Sequence, residues 1–196
     1  MKSILIGGGY NEDIDKYLLS LVDKPNILFI AHGNKYEEAA YKNFRSIYFK
    51  KYNANTRLLR RKNLSNMDYV NELINDCNII YIDGGNTKEL LDLWESTSFD
   101  KVIKNSNKIL VGKSAGAIAL CYMGVSDYQD NVLNEIKGLN LINIIISPHY
   151  ELEERQKYLT ELSKKYNKKC YGIESDSALI IDDDKYIKIG KIKEIN

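Results

Sequence analysis

Gly112-Lys113-Ser114-Ala115-Gly116 is the segment of this chain whose residue types and spacing could do covalent chemistry. In the pattern G-x-S-x-G a serine sits on a sharp strand-to-helix turn, its hydroxyl exposed, and small neighbours relieve the crowding of a strained backbone. The apolar run Lys108–Val111 before it and the helix-forming Ala117–Cys121 after it supply the flanking elements that the pattern needs. From such a turn the Ser114 hydroxyl could attack a carbonyl carbon, with the Ala115 N–H at a helix start facing the oxyanion.

A serine hydroxyl needs a base, and the chain holds two histidines, His32 and His149. Each follows an apolar, strand-like run. His149 lies in Ser147-Pro148-His149-Tyr150, where Pro148 fixes its own φ and restricts Ser147, so the approach to the imidazole is stiff. His149 is the preferred base, and His32 is assigned a structural hydrogen-bonding role.

Two glycine clusters also follow strand-like runs. Gly7-Gly8-Gly9 lacks the dinucleotide spacing, since position 12 is Glu, and lacks the Walker lysine pattern, so a tight turn is favoured over a phosphate cradle. Asp83-Gly84-Gly85-Asn86-Thr87 opens a helix that Asn86 or Thr87 could cap, and its glycines would let backbone N–H groups approach a ligand.

These segments need a scaffold, and the periodicity predicts one. Ser3–Ile6, Asn26–Ile30, Ile79–Ile82, Lys108–Val111 and Ile142–Ser147 read as buried strands. Between them, Leu18, Leu19 and Val22, then Tyr41, Phe44, Ile47 and Tyr48, then Leu90, Leu91 and Trp94 recur at helical spacing. The alternation predicts a three-layer α/β fold, a mostly parallel sheet flanked by helices, in one domain over 1–196. After a charged helix from Glu151 to about Lys165, the runs Cys170–Ile173, Ser177–Ile181 and Tyr186–Ile189 predict a C-terminal antiparallel edge hairpin turning at Asp182–Asp184.

The chain has 196 residues, with 28 basic and 27 acidic side chains giving a net charge of +1. That balance argues against a dedicated nucleic-acid or membrane-surface binder, and Arg57, Arg60, Arg61 and Lys62 read as a solvated strand end. No apolar run is long enough to span a membrane. Cys77, Cys121 and Cys170 are odd in number, show no zinc spacing and fit a reducing cytoplasm. The acidic clusters Glu151, Glu153, Glu154 and Asp182–Asp184 lack histidine partners and read as solvated surface, so no metal site is expected.

The Gly-Gly-Asn-Thr cluster at 84–87, Gly-Lys-Ser-Ala-Gly-Ala at 112–117, Pro-His-Tyr at 148–150, and Gly172-Ile173 followed by Ser177-Ala178-Leu179 together resemble one family over nearly the whole chain. It is the aspartyl dipeptidase (peptidase E) and cyanophycinase family of serine peptidases. The resemblance implies a class I glutamine amidotransferase-like fold, Ser114 as nucleophile, His149 as base, Gly85 and Ala115 as oxyanion donors, and Asn86 in the substrate-binding set. It leaves the acid open. Dipeptidases of the family place an aspartate between serine and histidine, which implies Asp127; cyanophycinases use a glutamate after the histidine, which implies Glu174. The family's later acidic residue would fall one place beyond Glu174, where this chain has Ser175. Asp127 is the first choice and Glu174 the alternative, with Asp130 and Asp176 further candidates. Arg155 matches the arginine that resembles a clamp for a substrate aspartate, against a reading in which it pairs with Glu151 on an exposed helix face.

The expectation is a cytoplasmic, cofactor-free serine peptidase acting on small peptides, Asp-X dipeptides among them, as a monomer or homodimer. A β-aspartyl or cyanophycin-type hydrolase, or a non-catalytic binding protein on the same scaffold, are the alternatives.

Overall fold

The computed structural model describes residues 2–129 and 132–195. The first half alternates strand and helix: β1 (Lys2–Ile6), α1 (Glu12–Ser20), β2 (Asn26–Ile30), α2 (Glu37–Tyr48), β3 (Asn55–Leu59), α3 (Met67–Asp76), β4 (Ile79–Ile82), α4 (Thr87–Ser96), α5 (Phe99–Lys104), β5 (Ile109–Lys113) and α6 (Ala115–Leu120). The second half is richer in strands: β6 (Cys121–Gln129), β7 (Val132–Lys137), β8 (Ile142–Pro148), α7 (Glu153–Tyr166), β9 (Cys170–Ile173), β10 (Ala178–Asp182), β11 (Lys185–Ile189) and β12 (Ile192–Ile195).

Local chemistry explains the early boundaries. Asparagine side chains cap three helices, Asn11 accepting from the Asp13 N–H, Asn66 from Tyr69 and Asn86 from Glu89. The β-branched runs of β1, β2 and β4 are buried on both faces, as strands sandwiched by helices must be.

Seven strands form the main sheet in the order β11-β10-β1-β5-β4-β2-β3. The strands from β1 to β3 in that order run parallel, and β10 and β11 close one edge as an antiparallel hairpin. One face carries a core that includes Trp94, Phe99 and Leu120. The other packs α1 and α2 through an aromatic group in which Phe44 lies 4.3 Å from Phe29, 4.2 Å from Tyr48 and 4.9 Å from Tyr81, ring centre to ring centre. Because the parallel strands share a direction, the loops after β1, β2, β4 and β5 gather at one carboxyl edge, where open α/β sheets bind ligands.

The mostly parallel helix-flanked sheet and its edge hairpin match the sequence expectation, and the structure adds a second sheet, β12-β9-β8-β6-β7. Residues 170–173 belong there, paired parallel to β8, and not to the hairpin. Cys121–Gln129 also forms a strand that the pattern did not predict, and Cys121, the end of the predicted helix-forming run, is its first residue. Gly124 lets β6 lie against α6, because a Cβ there would come 2.6 Å from the Ile118 side chain. Met123, Val125, Ile145, Leu159, Leu162 and Cys170 make a third apolar cluster between this sheet and α7.

Candidate active site

The β5–α6 turn is as sharp as its composition demands. Ser114 has φ 50° and ψ −109°, a conformation that costs about 1–3 kcal/mol and persists only where the surroundings impose it. Its N–H donates to the Ile6 carbonyl at 2.9 Å, tying the elbow to β1. A Cβ at Gly112 would stand 2.5 Å from the Gly116 carbonyl oxygen, and one at Gly116 2.2 Å from that of Ile82. Both glycines of the motif are therefore steric requirements.

Gly84 and Gly85 lie beside the elbow. A Cβ on Gly84 would be 3.4 Å from the Ser114 Cβ, and Gly85 holds φ +134° with its Cα pressed against the Gly33 carbonyl. The Asn86 N–H donates to that carbonyl at 2.7 Å and fixes the turn. Asn86 also caps α4 through Oδ1, and its amide nitrogen is buried with no partner among the described residues. Ala115 is the first residue of α6, so its N–H has no acceptor within the helix.

The loop after β8 carries His149, also at positive φ, 53°. Its Nε2 lies 3.0 Å from the Ser114 hydroxyl oxygen. Gly8 makes room for the ring, since a Cβ there would sit 2.1 Å from the imidazole Cε1, and Gly9 N–H holds the neighbouring loop through the Ser175 carbonyl at 2.7 Å. Within the first glycine cluster, Gly8 is thus the packing surface for the histidine, while Gly7 and Gly9 pack on residues 173–176. Burial pushes the His149 pKa below its ordinary value; Arg155 adds to the depression, Glu151 and Asp127 oppose it, and Lys113 adds a smaller push. The ring is neutral near pH 7, the form in which it can accept a proton.

On its other side, His149 Nδ1 lies 2.9 Å from the Ser175 hydroxyl. That hydroxyl donates to Glu151 Oε1, and the Ser175 N–H donates to Glu151 Oε2 at 3.0 Å. Glu151 itself stops 4.0 Å from Nδ1. The ionised carboxylate can only accept, so Ser175 donates to Glu151 and accepts from Nδ1–H, which leaves Nε2 free to accept from Ser114. This chain of donors selects one imidazole tautomer.

The acids expected from the resemblance are elsewhere. Asp127 Oδ2 pairs with Arg155 at 2.8 Å, and Glu174 faces the Lys191 ammonium at 3.6 Å. Asp176 lies against Gly9, and its carbonyl accepts from the Asn11 amide. Asp130 lies outside the described residues. Arg155 is 2% exposed and donates to the Val125 carbonyl as well, so its guanidinium is bound into the β6–α7 contact; it fits neither a substrate clamp nor an exposed helix pair with Glu151. Glu151 and Ser175 are the residues that sequence reasoning missed. The signal was present: Ser175 occupies the place of the family's acid, and Glu151 follows the histidine by two residues.

His32 is fully buried, accepting from the Trp94 indole at Nδ1 and donating to the Leu59 carbonyl from Nε2, both at 2.9 Å. Burial takes its pKa down to about 4, so it remains a neutral structural element. Among the described residues no three His, Cys, Asp or Glu side chains are grouped to hold a metal ion.

Comparison with known proteins gives matches over nearly the whole chain. The profile of peptidase family S51 matches residues 2–189. The uncharacterized peptidase YgaJ of Bacillus subtilis is 29% identical over 91% of this chain and 83% of its own length. The uncharacterized peptidase Lmo0363 of Listeria monocytogenes is 32% identical over 52% of this chain and 55% of its own. A crystal structure described as a peptidase E protein from Listeria monocytogenes EGD-e shares the fold with a TM-score of 0.69 at 20% identity, covering 96% of this chain and 97% of that one.

Proposed function

The chain belongs to peptidase family S51 and is a serine-type peptidase, and from that premise we propose that it hydrolyses short peptides with Ser114 as nucleophile and His149 as general base. The observation that carries this reading is the 3.0 Å contact between the Ser114 hydroxyl and Nε2 of a neutral, oriented imidazole, on an elbow strained to present that hydroxyl. His149 takes the proton as Ser114 Oγ bonds to the peptide carbonyl carbon, then gives it to the leaving amine as the C–N bond breaks. Water repeats the sequence on the acyl-enzyme and frees the acid. The N–H groups of Gly85 and Ala115 meet the oxyanion, each worth about 3 kcal/mol in comparable sites.

Ser175 and Glu151 act on the base rather than on substrate. Glu151 orients the imidazole through the Ser175 hydroxyl and favours its protonated form during the reaction. The cytoplasm is the proposed location, which suits three cysteines that are buried and unpaired.

Substitution tests the reading directly. Ser114→Ala and His149→Ala each reduce turnover of a short-peptide mixture by about 10³-fold or more with the melting transition intact. Full activity in purified Ser114→Ala protein would end the proposal.

A further inference from the structure

The turn that carries Ser114 and the turn that carries Gly85 leave adjacent strands, and their main chains are drawn apart as they do so. The β4–β5 ladder ends at the pair Ile82 and Gly112. One step on, the Asp83 N–H donates to the Ile30 carbonyl of β2 at 2.8 Å, while the Ser114 N–H donates to the Ile6 carbonyl of β1. These bonds anchor each turn to its outer neighbour, in opposite directions across the sheet.

A side-chain pair crosses the gap. Asp83 and Lys113 occupy the next cross-strand position after Ile82 and Gly112, and the Lys113 ammonium lies 2.6 Å from Asp83 Oδ1. Side chains alternate along a strand, so both share the face of Tyr81 and Val111, where α1 and α2 pack. The Lys113 chain runs along the glycine turn on its way: a Cβ on Gly84 would be 3.9 Å from Lys113 Cε and 3.4 Å from the Ser114 Cβ. Stability does not explain the pair. The Asp83 and Lys113 side chains are 10% and 29% exposed, and replacing an ion pair so far withdrawn from water by apolar residues of similar volume is often neutral. What the pair does supply is a fixed distance, and distance matters beside a reacting group, where about 1 Å of misplacement can cost 10²-fold in rate.

We propose that Asp83 and Lys113 form a clasp that sets the separation between the serine elbow and the Gly84–Gly85 turn, and thereby the reach of the Gly85 N–H to the oxyanion. Both are positioning residues, acting through the turns they hold and not on the reacting atoms. The proposal rests on Ser114 as nucleophile and on Gly85 as an oxyanion donor. The clasp also helps to impose the strained Ser114 backbone, because Lys113 is the residue before it and its ammonium is pinned to the neighbouring strand's end.

The test follows phosphonylation of Ser114 by a fluorophosphonate, in which the Oγ–P bond forms, fluoride leaves and the proton passes to His149. The reaction builds negative charge on a phosphoryl oxygen and needs no knowledge of the natural peptide. Wild type is compared with Lys113→Met, Asp83→Asn, the double variant and Lys113→Arg, each with its melting temperature. Either single substitution is expected to slow labelling about tenfold or more, and to lower kcat rather than raise KM for a short peptide that the wild type turns over. Lys113→Arg keeps the charge pair and is expected to recover most of the rate. The double variant separates positioning from support. It removes both charges, so the cost of an unpaired one disappears and the melting temperature returns toward that of wild type, while the rate stays as low as in either single variant. Where a single variant fails to fold, the double variant decides. A double variant that recovers rate together with stability, single variants that label at the wild-type rate, or a loss confined to KM would overturn the clasp and leave Ser114 as nucleophile. Labelling that persists in Ser114→Ala protein, or is absent from the wild type, would overturn the nucleophile reading and the clasp with it.

Discussion

Glu151 reaches His149 through a hydroxyl instead of by direct contact, and that difference has kinetic consequences. Ser175→Ala breaks the chain between Nδ1 and the carboxylate, and kcat should fall about 10–100-fold with little change in KM, the range seen when an orienting partner is removed. The pH profile gives an independent reading. The proposed mechanism needs neutral His149, whose pKa burial has lowered, so kcat/KM should be complete near neutrality and fall only as the pH drops below the ordinary imidazole range. Glu151 opposes that lowering, so Glu151→Gln should move the acid limb to still lower pH; an upward move would contradict the relay. Ser114 and His149 were legible in sequence because each is announced by its neighbours along the chain. The relay was not, because it forms between loops 24 positions apart, and Glu151 looks like ordinary charged surface until Ser175 is folded onto it.

At the scale of elements, Asp127 and Arg155 join β6 to α7. Arg155 is almost wholly buried, so removing its partner strands a charge inside the protein. Asp127→Ala should therefore lower stability by about 2 kcal/mol, less than for a fully buried pair because Asp127 is half exposed, a change readable in thermal or urea unfolding. If Asp127 were the acid of the site, the same substitution would instead suppress kcat by orders of magnitude at unchanged stability. The alternating first half of the chain could be read from hydrophobic period alone. The second sheet could not: β6, β8 and β9 are held by pairings distant in sequence, and the run from Ala117 through Cys121 continues as apolar whether the backbone is helical or extended.

The molecule as a whole places its candidate catalytic side chains at one sheet edge and keeps its thiols away from solvent. Cys77, Cys121 and Cys170 are buried, and desolvation raises their thiols, those of Cys77 and Cys170 to about 11. An aromatic disulfide reagent at pH 8 should find no fast-reacting thiol in the native protein and all three after denaturation. The parallel sheet predicted from alternation is what brings the loops after β1, β4 and β5 together, so the position of the site followed from fold class even where its membership did not. The most direct measurement is active-site labelling of the folded protein with a fluorophosphonate, followed by mass spectrometry of the peptides. A single adduct on Ser114, absent from Ser114→Ala protein and much slower to form in His149→Ala protein, is the expected result. An unlabelled Ser114 under conditions that fully label a control serine peptidase would contradict it.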